Sequence, residues 1–192
     1  MTIISSLDKV HKNGLFGNHQ NKNKNQITKI KQIKNLKLYQ VVKYKNSEVN
    51  ISNFNIDGVS MPDALKTRNN TSTRVIWMGP NNWFVSSSKD ISSDMKKFEE
   101  KNFAVTDLSQ SRSIIEIEGD MIYEVLKKGS PLDIGKLKPD DCANTVYNGI
   151  TVTLDFISNK PNVIRILGLR SFGESLYHSI TDACLEFGYE AI

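Results

Sequence analysis

Residues 104–149, AVTDLSQSRSIIEIEGDMIYEVLKKGSPLDIGKLKPDDCANTVYNG, carry a boundary signal at almost every change of direction. Ser113, Ile115 and Ile117 alternate with Ile114, Glu116 and Glu118, which is the period of a half-buried strand. Gly119 ends it. Asp120 is placed to cap a helix over residues 121–128, in which Ile122, Val125 and Leu126 share one face. Lys127 and Lys128 fall at the negative end of that helix dipole, and Gly129 stands just beyond. Further on, Asn148-Gly149 between two β-rich runs is the strongest short hairpin signal in the chain. The order is strand, turn, strand, helix, linker, strand and hairpin.

Outward from this stretch, the chain of 192 residues is long enough to bury one sizeable core or two small ones. An apolar content of 39% and a charged content of 24% fit a globular protein rather than a disordered or membrane one. No run approaches the ~18 apolar residues that a spanning helix needs. Residues 1–18, MTIISSLDKVHKNGLFGN, have neither the apolar region nor the small-residue cleavage site of an export signal. Cys142 and Cys184 lie far apart, belong to no CxxC, and read as reduced thiols. The expected location is the cytoplasm.

Charge is unevenly divided. Residues 1–46 hold ten Lys and one acid, Asp8, a balance of +9; of 25 basic and 21 acidic residues in all, the remainder carries 15 and 20, or −5. Such asymmetry can mark a nucleic-acid arm. Lys, Asn and Ile are abundant together, however, and their codons are AT-rich, so compositional bias accounts for the pattern as well. No Arg cluster or interleaved aromatics accompany the lysines.

Residues 1–34 read as a basic, flexible arm, because 1–26 contain few large apolar side chains to offset ordering entropy. Residues 35–192 read as one α+β domain, with a possible subdomain break near 102. Period two over 34–44 predicts a strand, and Ser47 is placed to cap a short helix through Phe54. Asp57-Gly58 and Met61-Pro62 read as a loop, and KTRNNTST at 66–73 as a polar connector. Two β-rich runs, 75–78 and 83–85, flank Gly79-Pro80-Asn81-Asn82 as a tight hairpin. Its Trp77 and Trp83 suit a core or a partner contact. Residues 92–101 read as an amphipathic helix with Met95 and Phe98 inward. Strands follow at 150–157 and 163–167, then a helix with Ser171 and Glu174 as a capping box and Gly188 as its stop. Adjacent hairpins with interspersed helices argue α+β.

Reactive constellations are absent from the pattern. His11, His19 and His178 are the only imidazoles, and no HxxxH, HExxH or Cys/His metal spacing occurs. Ser109, Ser111 and Arg112 follow Asp107 in a polar turn. That turn suits either an anion held by Arg112 or, more simply, the satisfaction of strand-end backbone groups.

Several pieces, in matching order and spacing from about residue 57 onward, resemble the gamma subunit of heterotetrameric sarcosine oxidase. They are Trp77-Met78-Gly79-Pro80-Asn81-Asn82-Trp83-Phe84 (the family has W-L-G-P-D-E-W-L), Thr106-Asp107-Leu108-Ser109 with Arg112, Gly129-Ser130-Pro131-Leu132-Asp133 (the family has G-C-P-L-D), Cys142-Ala143-Asn144-Thr145, and Arg170-Ser171-Phe172. Asn81-Asn82 departs from the family's acidic pair. That family is similar in fold to the folate-binding domain of glycine-cleavage T-protein, whose pieces Asp107-Leu108-Ser109, Glu118-Gly119-Asp120 and Lys136-Leu137-Lys138-Pro139 resemble. The T-protein hairpin carries an aspartate for one-carbon transfer in a G-G-x-x-D-D segment. Here residues 148–154 contain no acid, and Asp155 comes late in the strand.

The resemblance implies a non-catalytic structural subunit with alpha, beta and delta partner subunits. The assembled enzyme would demethylate sarcosine to glycine, pass the one-carbon unit to tetrahydrofolate and form hydrogen peroxide. FAD, FMN, NAD, tetrahydrofolate and zinc would belong to the partner subunits. No catalytic, cofactor or metal residue is assigned to this chain; Trp77, Pro80, Trp83, Ser109 and Arg112 are its possible subunit-contact or anion-binding residues. Rival readings are a stand-alone folate-binding protein of the same fold and a nucleic-acid binder acting through the arm. Relatives of the iron–sulfur repair type share a K-G-C-Y-x-G-Q-E segment that is absent here.

Overall fold

The computed structural model describes residues 5–20, 22–23, 26–98 and 102–192. The chain divides into two compact units: residues 1–34, 111–139 and 143–192 form the first, and residues 35–110 and 140–142 the second. The crossing at 110–111 replaces the break expected near 102, because residues 103–107 pair into the second unit's sheet.

The first unit is built on the strand predicted at 113–118. It is β10 (Arg112–Glu118) of a seven-stranded mixed sheet whose other members are β1 (Gly14–Phe16), β2 (Thr28–Gln32), β11 (Cys142–Tyr147), β12 (Ile150–Asn159), β13 (Asn162–Leu169) and β14 (Tyr189–Ala191). The sheet order is β1-β14-β2-β10-β13-β12-β11, with β14 and β2 parallel. The hairpin at Asn148-Gly149 joins β11 and β12, both residues at positive φ (46° and 80°), as a type I′ turn requires. Helices α2 (Ile122–Lys127) and α3 (Gly173–Leu185) bury Ile122, Val125, Leu126, Leu176, Tyr177 and Ile180 against Ile115, Ile117, Leu154, Phe156, Ile164 and Ile166 of the sheet.

Neither expected side-chain cap forms. Met121, not Asp120, occupies the N-cap of α2. Arg170–Phe172 is a 3-10 turn running straight into α3, and the Gly173 N–H donates to the Arg170 carbonyl, so backbone replaces the Ser171 capping box. Gly173 also lies so close to Ser113 that a Cβ there would come within 2.3 Å of its Oγ.

Two pieces of the segment expected to be a flexible arm, β1 and β2, are strands of this sheet. β2 lies between β14 and β10, and Ile30 is fully buried. Its lysines alternate outward and meet acids across the strands: Lys31 is opposite Glu116, and Lys29 is opposite both Glu118 and Glu190. Glu116 in turn faces Arg165, and Arg165 faces Asp155. Lys29–Glu118 and Arg165–Glu116 close at 2.7 Å, and Lys34 binds Asp8 at 3.0 Å. The two lysines of β2 are thus set opposite the two glutamates of β10.

The second unit is an antiparallel five-stranded sheet of order β6-β7-β8-β3-β9: β3 (Lys37–Lys43), β6 (Thr67–Asn69), β7 (Thr73–Gly79), β8 (Asn82–Ser87) and β9 (Phe103–Asp107). A small hairpin of β4 (Asn55–Ile56) and β5 (Val59–Ser60) turns at Asp57-Gly58. Helix α1 (Ser92–Phe98) sets Met95 and Phe98 into a core with Tyr39, Val41, Val75, Trp83, Val85 and Phe103. Residues 99–101 of the helix expected at 92–101 lie outside the described residues. The helix expected from Ser47 is only a 3-10 turn, Ile51–Asn53, capped by the Asn50 side chain accepting from Ser52 N–H.

Candidate functional site

Trp77 and Trp83 are direct cross-strand partners in the β7–β8 hairpin. Trp83 is 4% exposed within the core, which removes it as a surface contact, whereas Trp77 is half-buried at the core's edge. Pro80 is exposed at the tip. Asn81 takes φ 57° there, and its carbonyl accepts from Lys43 N–H at 2.9 Å, which ties the tip to β3.

Ser109 and Arg112 fall in different units. Ser109 N–H donates to Asp107 Oδ1 at 2.8 Å, and its Oγ accepts from Leu38 N–H at 3.0 Å. This is the strand-end arrangement: the turn finishes β9 and satisfies the start of β3. Arg112 opens β10, where Nη1 donates to the carbonyl and Oγ of Ser111 at 3.3 Å. Burial lowers the pKa of its guanidinium.

The polar groups that do converge gather around the stretch read as a polar connector, residues 66–73, on Asp57 and Asp140. Asp57, at the left-handed corner of the β4–β5 hairpin, accepts from Lys89 Nζ at 2.5 Å and Thr73 Oγ1 at 2.7 Å. It also accepts from Ser72 Oγ at 3.1 Å and Asn70 Nδ2 at 3.2 Å. Bonds from Lys89 first, then Thr73 and Asn70, hold its pKa far below the ordinary carboxylate value. Beside this turn, residues 140–142 reach back across the sequence to β6. Lys66 and Asp141 form an isolated bridge, and the Asp140 carbonyl accepts from Thr67 N–H at 2.8 Å. Asp140 Oδ1 then accepts from Asn69 Nδ2 at 3.0 Å, Arg74 Nη1 at 3.2 Å and Thr67 Oγ1 at 3.5 Å. An open recess of about 320 Å³ lies over these groups, lined by Gly58, Ser60, Arg68, Asn69 and Asp140 with buried Val59 and Thr67 at its base. Thr67 and Asp140 are 73 positions apart, so no local pattern announces the site.

Elsewhere the chemistry is closed or sparse. Cys184 is fully buried, and desolvation pushes its thiol up to about 12, far from a reactive thiolate. Tyr177 is raised to about 12 by the same cause. The Cys142 thiol donates to the Lys66 and Trp77 carbonyls at 3.3 Å. A second open recess, of about 460 Å³, is lined by His178, Ser179, Thr181, Asp182, Leu185 and Tyr189. Among the described residues no three His, Cys, Asp or Glu side chains are grouped to hold a metal ion, and no helix is long and apolar enough to cross a membrane.

Neither a protein-family model nor a curated protein matches the sequence. The structure is similar to a chain of heterotetrameric sarcosine oxidase from Corynebacterium sp. U-96 in complex with pyrrole 2-carboxylate. The TM-score is 0.76 at 22% identity, covering 86% of this chain and 87% of that one. It is also similar to glycine cleavage system aminomethyltransferase T from Bartonella henselae, with a TM-score of 0.56 at 12% identity, over 80% of this chain but 45% of that one. At these identities it is the architecture that is shared: this chain has the T-protein-like α+β fold that also occurs in heterotetrameric sarcosine oxidase.

Proposed function

We propose that this chain is a structural, gamma-type subunit of a cytoplasmic assembly like heterotetrameric sarcosine oxidase. The observation that carries the reading is the pair of coverages. The chain spans 87% of a chain from the heterotetramer but 45% of the aminomethyltransferase, so its outline is that of a subunit rather than of a whole transferase. On this reading the oxidation would belong to alpha, beta and delta partners, which would demethylate sarcosine to glycine, pass the one-carbon unit to tetrahydrofolate and reduce oxygen to hydrogen peroxide. FAD, FMN, NAD, tetrahydrofolate and zinc reside with those partners. This chain's role is to brace them, with the exposed tip at Pro80 and the half-buried Trp77 beneath it as a contact.

Co-expression with alpha, beta and delta subunits from the same source, followed by size-exclusion chromatography, tests the reading. Co-elution at the mass of a heterotetramer, with sarcosine oxidation only in that fraction, is the expected result. Elution as a free monomer beside an active complex of the other subunits refutes it. The T-protein-like fold also supports a second reading, a stand-alone folate-binding protein. Calorimetric titration of tetrahydrofolate into the isolated chain separates the two: micromolar affinity favours folate binding, and no heat at millimolar ligand excludes it.

A further inference from the structure

The two edges of the second unit's sheet differ. At one edge β6 is closed, because Thr67 N–H donates to the Asp140 carbonyl at 2.8 Å. At the other edge β9 pairs with β3 alone. Bonds just beyond its ends fix which backbone groups face inward: Tyr44 N–H donates to the Asn102 carbonyl at 2.9 Å, and Leu108 N–H to the Leu38 carbonyl at 2.7 Å. By the antiparallel alternation, Ala104 and Thr106 also bond to β3, and Phe103, Val105 and Asp107 turn their N–H and C=O groups outward. None of these six groups is bonded by a described residue. The strand FAVTD lacks the devices that keep an edge from pairing: it has no Pro, no Lys and no shift of register, and its one charge stands at the last position.

Charge and position say what fits there. Asp107 is exposed; its Oδ1 accepts from Ser109 N–H at 2.8 Å, and no described cation pairs with it. A second copy paired antiparallel about Val105 would set Phe103 opposite Asp107 and leave the carboxylate unanswered, whereas a strand with a cation at that place answers it. Val42 stands opposite both Asn82 and Ala104, so the β7–β8 hairpin tip and the Phe103 end of β9 share one end of the sheet, two strand spacings or ~10 Å apart. A partner seated on Pro80 is thereby brought beside the open edge. We infer that β9 is completed by an extended strand of a partner subunit, with a small or β-branched apolar residue opposite Val105 and a Lys or Arg opposite Asp107. The inference rests on the subunit reading proposed above and gives that assembly a backbone-paired contact.

Hydrogen exchange resolved to single amides tests it, on the free chain and on the complex co-expressed with alpha, beta and delta subunits. In the free chain Val105 and Asp107 exchange fast and Ala104 and Thr106 slowly; in the complex the outward two slow ~10-fold or more, as amides that open only when the contact breaks. Val105→Pro removes an outward donor and puts a ring in the path of the added strand, at an edge position that tolerates proline because its N–H faces away from its own sheet. It is expected to weaken retention in the complex ~10-fold or more. Asp107→Asn keeps an acceptor for Ser109 N–H, removes the charge, and is expected to weaken retention several-fold. Melting of each free variant shows whether its fold is kept; should Val105→Pro melt early, Asp107→Asn and the exchange data decide. A complex in which Val105 and Asp107 exchange as fast as in the free chain, or which retains both variants like the parent, overturns the inference and leaves the subunit reading standing. Failure of the parent chain to enter any complex ends both. Protection that appears in the isolated chain and rises with its concentration gives the edge to a second copy and overturns the partner strand.

Discussion

The Asp57 carboxylate gathers donors from Lys89, Thr73, Ser72 and Asn70 onto a turn residue at φ 53°, where a non-glycine side chain needs local compensation. These bonds pin the β4–β5 hairpin to the start of β7. Because they favour the charged form, the folded pKa lies below the ordinary 3.8. A carboxyl depressed by folding contributes stability that is fully present above the unfolded pKa and is lost as pH falls through the folded one. Asp57→Asn keeps the shape and removes the charge, so it is expected to lower the melting temperature at ~pH 7. The gap to the parent is expected to narrow steadily below ~pH 4, as the parent's own carboxylate protonates. Thermal melts of both proteins across that range measure it; a gap that stays constant with pH contradicts the account.

The elements that were legible in advance are those long enough to display a period. β10 shows its alternation over seven residues, α3 its three-and-four spacing over thirteen, and the Asn148-Gly149 turn its own chemistry. Three-residue strands such as β1, β6 and β14 show no period at all, and β1 and β14 pair only with strands remote in sequence. β2 misled for a different reason. TKIKQ looks like solvated arm because its lysines stand opposite Glu116, Glu118 and Glu190, which the chain supplies some 90 to 160 residues later. The Asp140 cluster was hidden in the same way, because residues 140–142 reach β6 across some seventy positions of sequence. Around β2 the packing is tight: a Cβ on Gly17 would come within 2.4 Å of the Leu185 carbonyl oxygen, and one on Gly188 within 2.6 Å of the Asn18 carbonyl oxygen. A chain starting at residue 35 is therefore expected to lose the first unit, since β10 and β14 lose the strand between them. Circular dichroism and limited proteolysis of that truncation check this. In the full chain Ile30→Ala, at a site of zero exposure, is expected to cost about 2–5 kcal/mol in denaturant unfolding. A cost below ~0.5 kcal/mol would return the segment to the status of a loose arm.

Taken whole, the molecule carries a net charge of +4, and Lys29 and Lys31 of the positive run near its start stand opposite acids within its own sheet. Duplex binding at ~0.15 M salt is accordingly expected to be negligible, and a steep salt-dependent affinity in a gel-shift titration would revive the nucleic-acid reading. The proposed assembly makes the sharper demand, because a structural subunit would have to contact its neighbours through surface that its own fold does not need. Pro80 meets that condition: it is exposed, and the turn beneath it is held by Asn81 and Lys43 backbone groups rather than by its ring. Pro80→Asp should therefore shift the isolated chain's stability by no more than ~0.5 kcal/mol. In a subunit interface the same aspartate leaves a charge buried without a partner, which disrupts the contact. Co-expressed with its partners, the variant is expected to elute free of them while melting like the parent. Trp83→Phe supplies the contrast: with the indole 4% exposed in the core, it should lower stability and leave assembly of the folded fraction intact. Should Pro80→Asp co-elute as the parent does, the contact lies elsewhere on the chain, and the hairpin tip is only a turn.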